Sequence, residues 1–314
     1  MEIYRSSGSS CRATHITHDV LVISISIKRQ PNLDAPGLLN RECRRQGYSA
    51  LDILYTRRPH FPQEEVAGLL AAAHGFSAQY RRVVIYGFSV GAYAAMNFAP
   101  FVGAKITIAA SPLFSPDPAK VPFERRWQKE RTRPQGFPFD NMVRGLNSLD
   151  HAYLMYDPYD DDDHHIRSIV EVAPSVTLLP VPFGGHPVSS VLAVNGTIYR
   201  VISDIAHDRF QMTGFHTAAR DSRRGSPRYF ETLARLQPES RDELRVRLLE
   251  KGLLLQNEPK PEYLKQLIPP LMRLGRREQA ATFAELALAA GATRTDIDLL
   301  MGESPENPVI KKAL

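Results

Sequence analysis

Only two cysteines, Cys11 and Cys43, occur in the 314 residues. One lies in a polar N-terminal stretch and the other in the basic segment LLNRECRRQGY, which excludes a disulfide framework and leaves both as free thiols. No run of eighteen or more apolar residues occurs, so no membrane-spanning helix is expected. The opening MEIYRSSGSSCRATHITHD has no apolar stretch of the secretory kind, and the expectation is a cytoplasmic chain. Charge of one sign is only mildly in excess, at +5, and the basic pairs at 57, 81, 125, 223 and 276 are scattered. That spread argues for a solvated basic surface and against a nucleic-acid partner. Metal-ligand spacing is missing as well. The run Asp160 to His165 holds suitable side chains, but its consecutive residues point in different directions, and no H-x-x-x-H or spaced cysteines accompany it. It reads as a solvated acidic loop, with no metal and no cofactor implied.

What is present is ordinary for a packed protein: 43% hydrophobic and 23% charged residues. From residue 20 to about 182, short apolar runs alternate with helix-like segments, the pattern of βαβ units and a parallel sheet. Strands are predicted at Val20 to Ile27, Ala50 to Tyr55, Arg82 to Tyr86, Lys105 to Ala110, Ala152 to Tyr156 and Ser175 to Val181. Helices are expected between them, notably Glu64 to His74 and Gly91 to Ala99. The fold class is therefore α/β, with a mostly parallel sheet of about six strands.

The most informative stretch is VVIYGFSVGAYAAMNFA, residues 83 to 99, which sets Gly87-Phe88-Ser89-Val90-Gly91 between an apolar strand and a small-residue helix. A serine held on a sharp strand-to-helix turn needs small residues two before and two after it, so that strand and helix can approach. Gly87 and Gly91 meet that need. The same turn aims the Val90 N–H, at a helix N-terminus, toward a developing oxyanion.

A serine hydroxyl is a weak nucleophile unless a histidine takes its proton and a carboxylate fixes the histidine's tautomer. Both partners are available downstream, each after a predicted strand: the acid in AYLMYDPYDDDDHH and the base, His186, in VTLLPVPFGGHPVSSVL. Five aspartates crowd the acid loop. Laid against a strand followed by Gly-x-x-Asp, Asp157 takes the glycine place and Asp160 the acid place. Asp160 is therefore the expected acid and Asp157 the alternative.

The elbow, acid loop and Gly-His make residues 20 to 195 resemble a compact member of the α/β-hydrolase superfamily that lacks the first antiparallel strands of larger members. The stretch SPLFSPDPAKVPFERRW, residues 111 to 127, also resembles a segment of poorly characterised bacterial hydrolase-like proteins. The resemblance implies a Ser89–Asp160–His186 triad acting on a small-molecule ester or thioester. Its second oxyanion donor would come from the loop after the first core strand. That strand ends in ISISIKRQ, not in a His-Gly motif, so the backbone N–H near Ser26 or Ile27 is the natural candidate. The rival expectation is a catalytically silent binding or scaffold protein of the same fold.

Residues 112 to 150, rich in proline, arginine and aromatics, are expected to form a cap or lid inserted in a catalytic domain spanning 1–205. Within it, ERRWQKERTR carries five basic and two acidic residues around Trp127. It reads either as a charged amphipathic helix or as a cationic wall for an anionic substrate. Tyr93 and Phe183 are expected in the core. Residues 206–314 carry helical periodicity in Asp242 to Leu255, Pro261 to Leu274 and Arg277 to Ala290, and are read as a small all-α domain. LGRREQAATFAELALAAG resembles the second helix of a tetratricopeptide unit, with Pro269 and Pro270 bending the helix before it. One hairpin cannot bury its face alone, so this domain must dock on the catalytic domain, on a neighbouring hairpin or on a partner, which includes a second copy of the chain.

Overall fold

A computed structural model describes residues 1–27, 32–56, 61–126 and 136–302. The chain divides into two compact units, Met1–Ser222 and Arg223–Leu314.

The first unit is built on eight strands: β1 (Glu2–Arg5), β2 (Ser9–Thr14), β3 (Val20–Ile27), β4 (Ser49–Tyr55), β5 (Arg82–Phe88), β6 (Ile106–Ala110), β7 (His151–Tyr156) and β8 (Val176–Pro180). Their spatial order is β1-β2-β4-β3-β5-β6-β7-β8. The pairs β1–β2 and β2–β4 are antiparallel, and every pair from β4 onward is parallel. The expectation of about six strands and no N-terminal antiparallel pair is thus corrected. β2, SSCRAT, is a buried strand built from small and polar residues, so it carries no apolar run to betray it. β1 is a four-residue edge strand, half exposed.

The β-branched run of β3 serves both faces of the sheet, because successive side chains alternate. Leu21, Ile23 and Ile25 enter one core, with α2 (Gln63–Ser77), α3 (Val90–Phe98), α4 (Met142–Asn147) and α5 (Asp162–Val172). Val20 and Val22 enter the other, with α1 (Asn40–Gln46), α6 (Ser189–Leu192), α7 (Thr197–Ala206) and α8 (Met212–Arg224). Phe215 and Ala219 of α8 belong to that second core. The sheet unit therefore reaches Ser222 rather than ending near 205: the stretch after β8 looks helical in sequence, but its apolar face covers the sheet. Cys11 and Cys43 are buried free thiols, and burial pushes the Cys11 thiol up to about 12.

The second unit has its own core of Ala234, Val246, Leu249, Leu264, Leu267, Ile268, Leu271, Ala280 and neighbours. Its elements are α9 (Pro227–Arg235), α10 (Asp242–Leu253), α11 (Pro261–Lys265), α12 (Ile268–Arg273), α13 (Arg277–Ala289) and α14 (Arg294–Met301). The helix expected over Pro261 to Leu274 is two helices, with Pro269 and Pro270 in the first turn of the second, where a missing N–H costs nothing. Among the described residues, no helix is long and apolar enough to cross a membrane.

Candidate active site

β5 ends at Phe88 and α3 begins at Val90, so Ser89 alone makes the turn. It holds φ 54° and ψ −126°, a conformation that a residue with a side chain adopts at a cost. The flanking glycines make that turn possible. A Cβ on Gly87 would lie 2.1 Å from the Gly91 carbonyl oxygen, and one on Gly91 would lie 2.5 Å from that of Ile25. Backbone cannot yield there, so the helix sits on the strand only because both positions lack a side chain. The Ser89 N–H donates to the Ala110 carbonyl of β6 at 2.8 Å, and the Val90 N–H is among the helix's unpaired first-turn donors.

His186 follows β8. Its Nε2 lies 2.7 Å from Ser89 Oγ, and its Nδ1 lies 2.9 and 2.8 Å from the two carboxylate oxygens of Asp162. With a carboxylate at Nδ1, that nitrogen carries the proton and Nε2 is left to accept from the hydroxyl. Three side chains from the C-terminal ends of β5, β7 and β8 are thus brought into one hydrogen-bonded line.

The carboxylate that meets His186 Nδ1 is Asp162, not the expected Asp160. Asp160 is half exposed, and its carboxylate accepts the Asp161 N–H at 2.7 Å. Asp157 is fully buried and grips backbone instead: it accepts from Tyr159 N–H, Phe183 N–H and Gly185 N–H at 3.0, 3.0 and 2.9 Å. Burial raises its carboxyl above the ordinary range, against the pull of those three donors. Asp162 takes the place given to Asp160 because α5 starts there. A legible signal was present in the sequence: Asp162, His165, Ile166 and Ile169, spaced i, i+3, i+4 and i+7, are the buried face of that helix. Reading Asp160 to His165 as a loop hid it.

Burial alone would push the Asp162 carboxyl up, but the His186 hydrogen bond and charge, the Arg126 charge and the Ser111 hydroxyl together hold it below the ordinary range. Arg126 Nη2 donates to Asp162 Oδ1 at 3.1 Å and to Glu124 Oε2, while its Nε donates to both oxygens of Glu124 at 2.9 Å. Glu124 in turn accepts from His165 Nε2 at 3.0 Å, and His165 Nδ1 accepts the Phe114 N–H at 3.2 Å. The segment read either as a charged amphipathic helix or as a cationic wall turns one of its arginines, Arg126, toward buried carboxylates; residues 127–135, with Trp127, lie outside the described residues. Among the described residues, no group of three or more histidine, cysteine, aspartate or glutamate side chains gathers to hold a metal ion.

Ser26 lies on β3 one residue beyond Ile25, the partner of Gly87. With Leu38, Leu54 and Phe88 it lines a largely apolar cavity of about 180 Å³ under the loop after β3, with Arg12 and Asp52 at its polar side. Tyr93 is buried in the core. Phe183 is half-buried and stacks on the exposed Tyr159 ring at 4.7 Å, so it is not the core residue expected.

No family model matches the chain, and no curated protein does. Among solved structures, it is similar to Est1E from Butyrivibrio proteoclasticus, with 11% identity over 67% of this chain and 98% of that one and a TM-score of 0.49. It is also similar to carboxyl esterase 2 from the mycorrhizal fungus Tuber melanosporum, with 13% identity, 67% and 81% coverage and a TM-score of 0.45. A third is the capsule O-acetyltransferase of Neisseria meningitidis serogroup A, with 12% identity, 65% and 93% coverage and a TM-score of 0.46. Likenesses this weak say nothing about the chemistry of this chain.

Proposed function

We propose that the protein is a serine hydrolase that transfers the acyl group of an ester or thioester to water. The observation that carries this reading is the unbroken line from Ser89 Oγ through His186 to Asp162, at 2.7 and 2.8 Å. Ser89 Oγ attacks the carbonyl carbon while its proton passes to His186 Nε2. Asp162 holds the Nδ1–H and balances the imidazolium charge that forms. The carbonyl oxygen, now an anion, is met by the Val90 N–H and by a second backbone donor near Ser26. His186 then gives its proton to the departing alcohol or thiol, leaving an acyl-Ser89 ester. Water repeats the sequence, with His186 as base, and releases the acid and free Ser89.

The strained elbow supports the same reading, because a non-glycine residue at φ 54° is retained only where its surroundings enforce it. A fluorophosphonate probe tests the assignment directly. Wild-type chain should be labelled at Ser89, and Ser89→Ala and His186→Ala should not. A folded wild-type chain that is neither labelled nor active on p-nitrophenyl acetate would instead be a silent binding scaffold.

A further inference from the structure

Behind the Ser89–His186–Asp162 line lies a second layer of charge that the acyl-transfer steps do not use. Asp162 Oδ1 is shared: it receives His186 Nδ1–H at 2.9 Å and the Arg126 guanidinium at 3.1 Å. The guanidinium is in turn clasped by Glu124, whose side chain is 3% exposed, and Glu124 is anchored by the fully buried His165. His165 is neutral in this arrangement, because its Nδ1 accepts the Phe114 N–H and only its Nε2 has a proton to give to Glu124. The order outward from the serine is therefore imidazole, carboxylate, guanidinium, carboxylate, neutral imidazole. Burying a guanidinium and two carboxylates costs more than an apolar filling would, so a role beyond packing is called for.

We propose that Arg126 and Glu124 are positioning residues that set, through Asp162, how firmly His186 holds its proton. The proposal rests on reading Ser89, His186 and Asp162 as the catalytic line. Arg126 draws on the same carboxylate oxygen that stabilises a protonated His186, and so favours the neutral imidazole that can act as base. Glu124 offsets part of that cation and limits the effect. Asp162 and Glu124 are almost wholly shielded from water while the Arg126 side chain is 28% exposed, so these charges are only partly screened over a few ångströms. Other groups of the described residues lie close to the pair. Ser89 comes from the elbow, and the Ser111 hydroxyl, at the end of β6, bonds Asp162. Asp157 is held by the backbone of the β8 loop. Asp163 is turned to Arg167, and the Asp160 carboxylate is engaged at the surface.

Opposite charges predict opposite shifts. In Arg126→Gln, the acid limb of the kcat/KM profile for p-nitrophenyl acetate should move to higher pH by about 0.5–1 unit. In Glu124→Gln it should move to lower pH, by less, and Arg126→Lys should return it to the wild-type position. The same directions should appear in the NMR titration midpoint of the His186 ring carbons, identified by the signal missing from His186→Ala. That second readout requires no turnover. A wild-type chain without esterase activity would defeat the hydrolase reading, while the midpoints would still decide the charge coupling. Folded variants whose midpoints stay within roughly 0.2 unit of wild type, or shift in one common direction, would overturn the proposal. Should Arg126→Gln fail to fold, the downward shift in Glu124→Gln decides, and its absence is equally fatal.

Discussion

Asp157 accepts the backbone N–H of Gly185 at 2.9 Å, one residue before the histidine whose ring Asp162 holds at 2.8 Å. One carboxylate fixes the loop and the other fixes the imidazole. Exchanging them should separate the two tasks. Asp162→Asn should cut turnover on the order of 10³- to 10⁴-fold, since the amide cannot hold the required tautomer. Asp160→Asn should stay within a few-fold of wild type. Asp157→Asn should lower the melting temperature, because an amide NH₂ would face N–H donors. Kinetics and thermal melts of the three variants check this, and a severe loss at Asp160 with a mild one at Asp162 would restore the acid expected from sequence.

The elbow strain has a thermodynamic signature. Ser89→Ala keeps a side chain at φ 54°, whereas Ser89→Gly removes the steric penalty. Both should be inactive, but the glycine variant should be the more stable by about 1 kcal/mol, the relief exceeding glycine's entropic cost. Chemical denaturation of the two measures the difference. Equal stability would mean the turn is not strained.

Gly91→Ala should be among the most damaging small substitutions in the chain. Its Cβ would lie 2.5 Å from the Ile25 carbonyl, so α3 would have to lift off β3 and carry Ser89 with it. The expected result is a loss of 2 kcal/mol or more, on the order seen for overpacked cores, together with lost fluorophosphonate labelling. Gly75→Ala, where an added Cβ meets nothing within 4 Å, serves as the tolerated control: it should keep fluorophosphonate labelling and hold or raise stability, since it removes a flexible residue from helix α2.

Hydrogen bonds from His165 and Arg126 and the arginine's charge outweigh burial and hold the Glu124 carboxyl well below the usual carboxylate range. A carboxyl depressed by folding stabilises the native state above its unfolded value, about pH 4.3 for glutamate, and the gain fades as pH falls through the depressed folded value. The melting temperature of Glu124→Gln should therefore lie below wild type near pH 7, by on the order of 5 °C, and the two curves should converge in strong acid. A gap independent of pH would assign the loss to packing alone.

Where the sheet unit ends can be tested by shortening the chain. A protein stopped after residue 205 loses Phe215 and Ala219 from the second core and should aggregate or melt early, as large core deletions do. One stopped after Ser222 keeps every member of both sheet-face cores and should fold and be labelled by the probe. Equal stability of the two would show that α8 contributes nothing to the sheet unit.

The elbow was legible because its requirements are local: Gly87 and Gly91 stand two residues either side of Ser89, and an apolar strand and a small-residue helix flank them. His186 was legible because Gly-His follows an apolar run. Most of the parallel strands announced themselves as short, nearly continuous apolar runs. β1 and β2 did not, since a short edge strand and a strand of serine, cysteine and alanine leave no hydropathy pattern.

The acid could not be chosen by counting along the loop, since which of five neighbouring aspartates faces His186 depends on where a helix begins, and the helix begins at Asp162. Arg126 looked like surface charge for a related reason. A guanidinium four bonds from its backbone goes where its partners are, and Glu124, Asp162 and His165 come together only when the segment after β6 folds against α5. Sequence by itself determined the residues whose roles depend on backbone shape at one turn. Only the tertiary structure decided those whose roles depend on which distant charges share a buried space, because Coulomb energy is set by separation in three dimensions and by the water excluded around it.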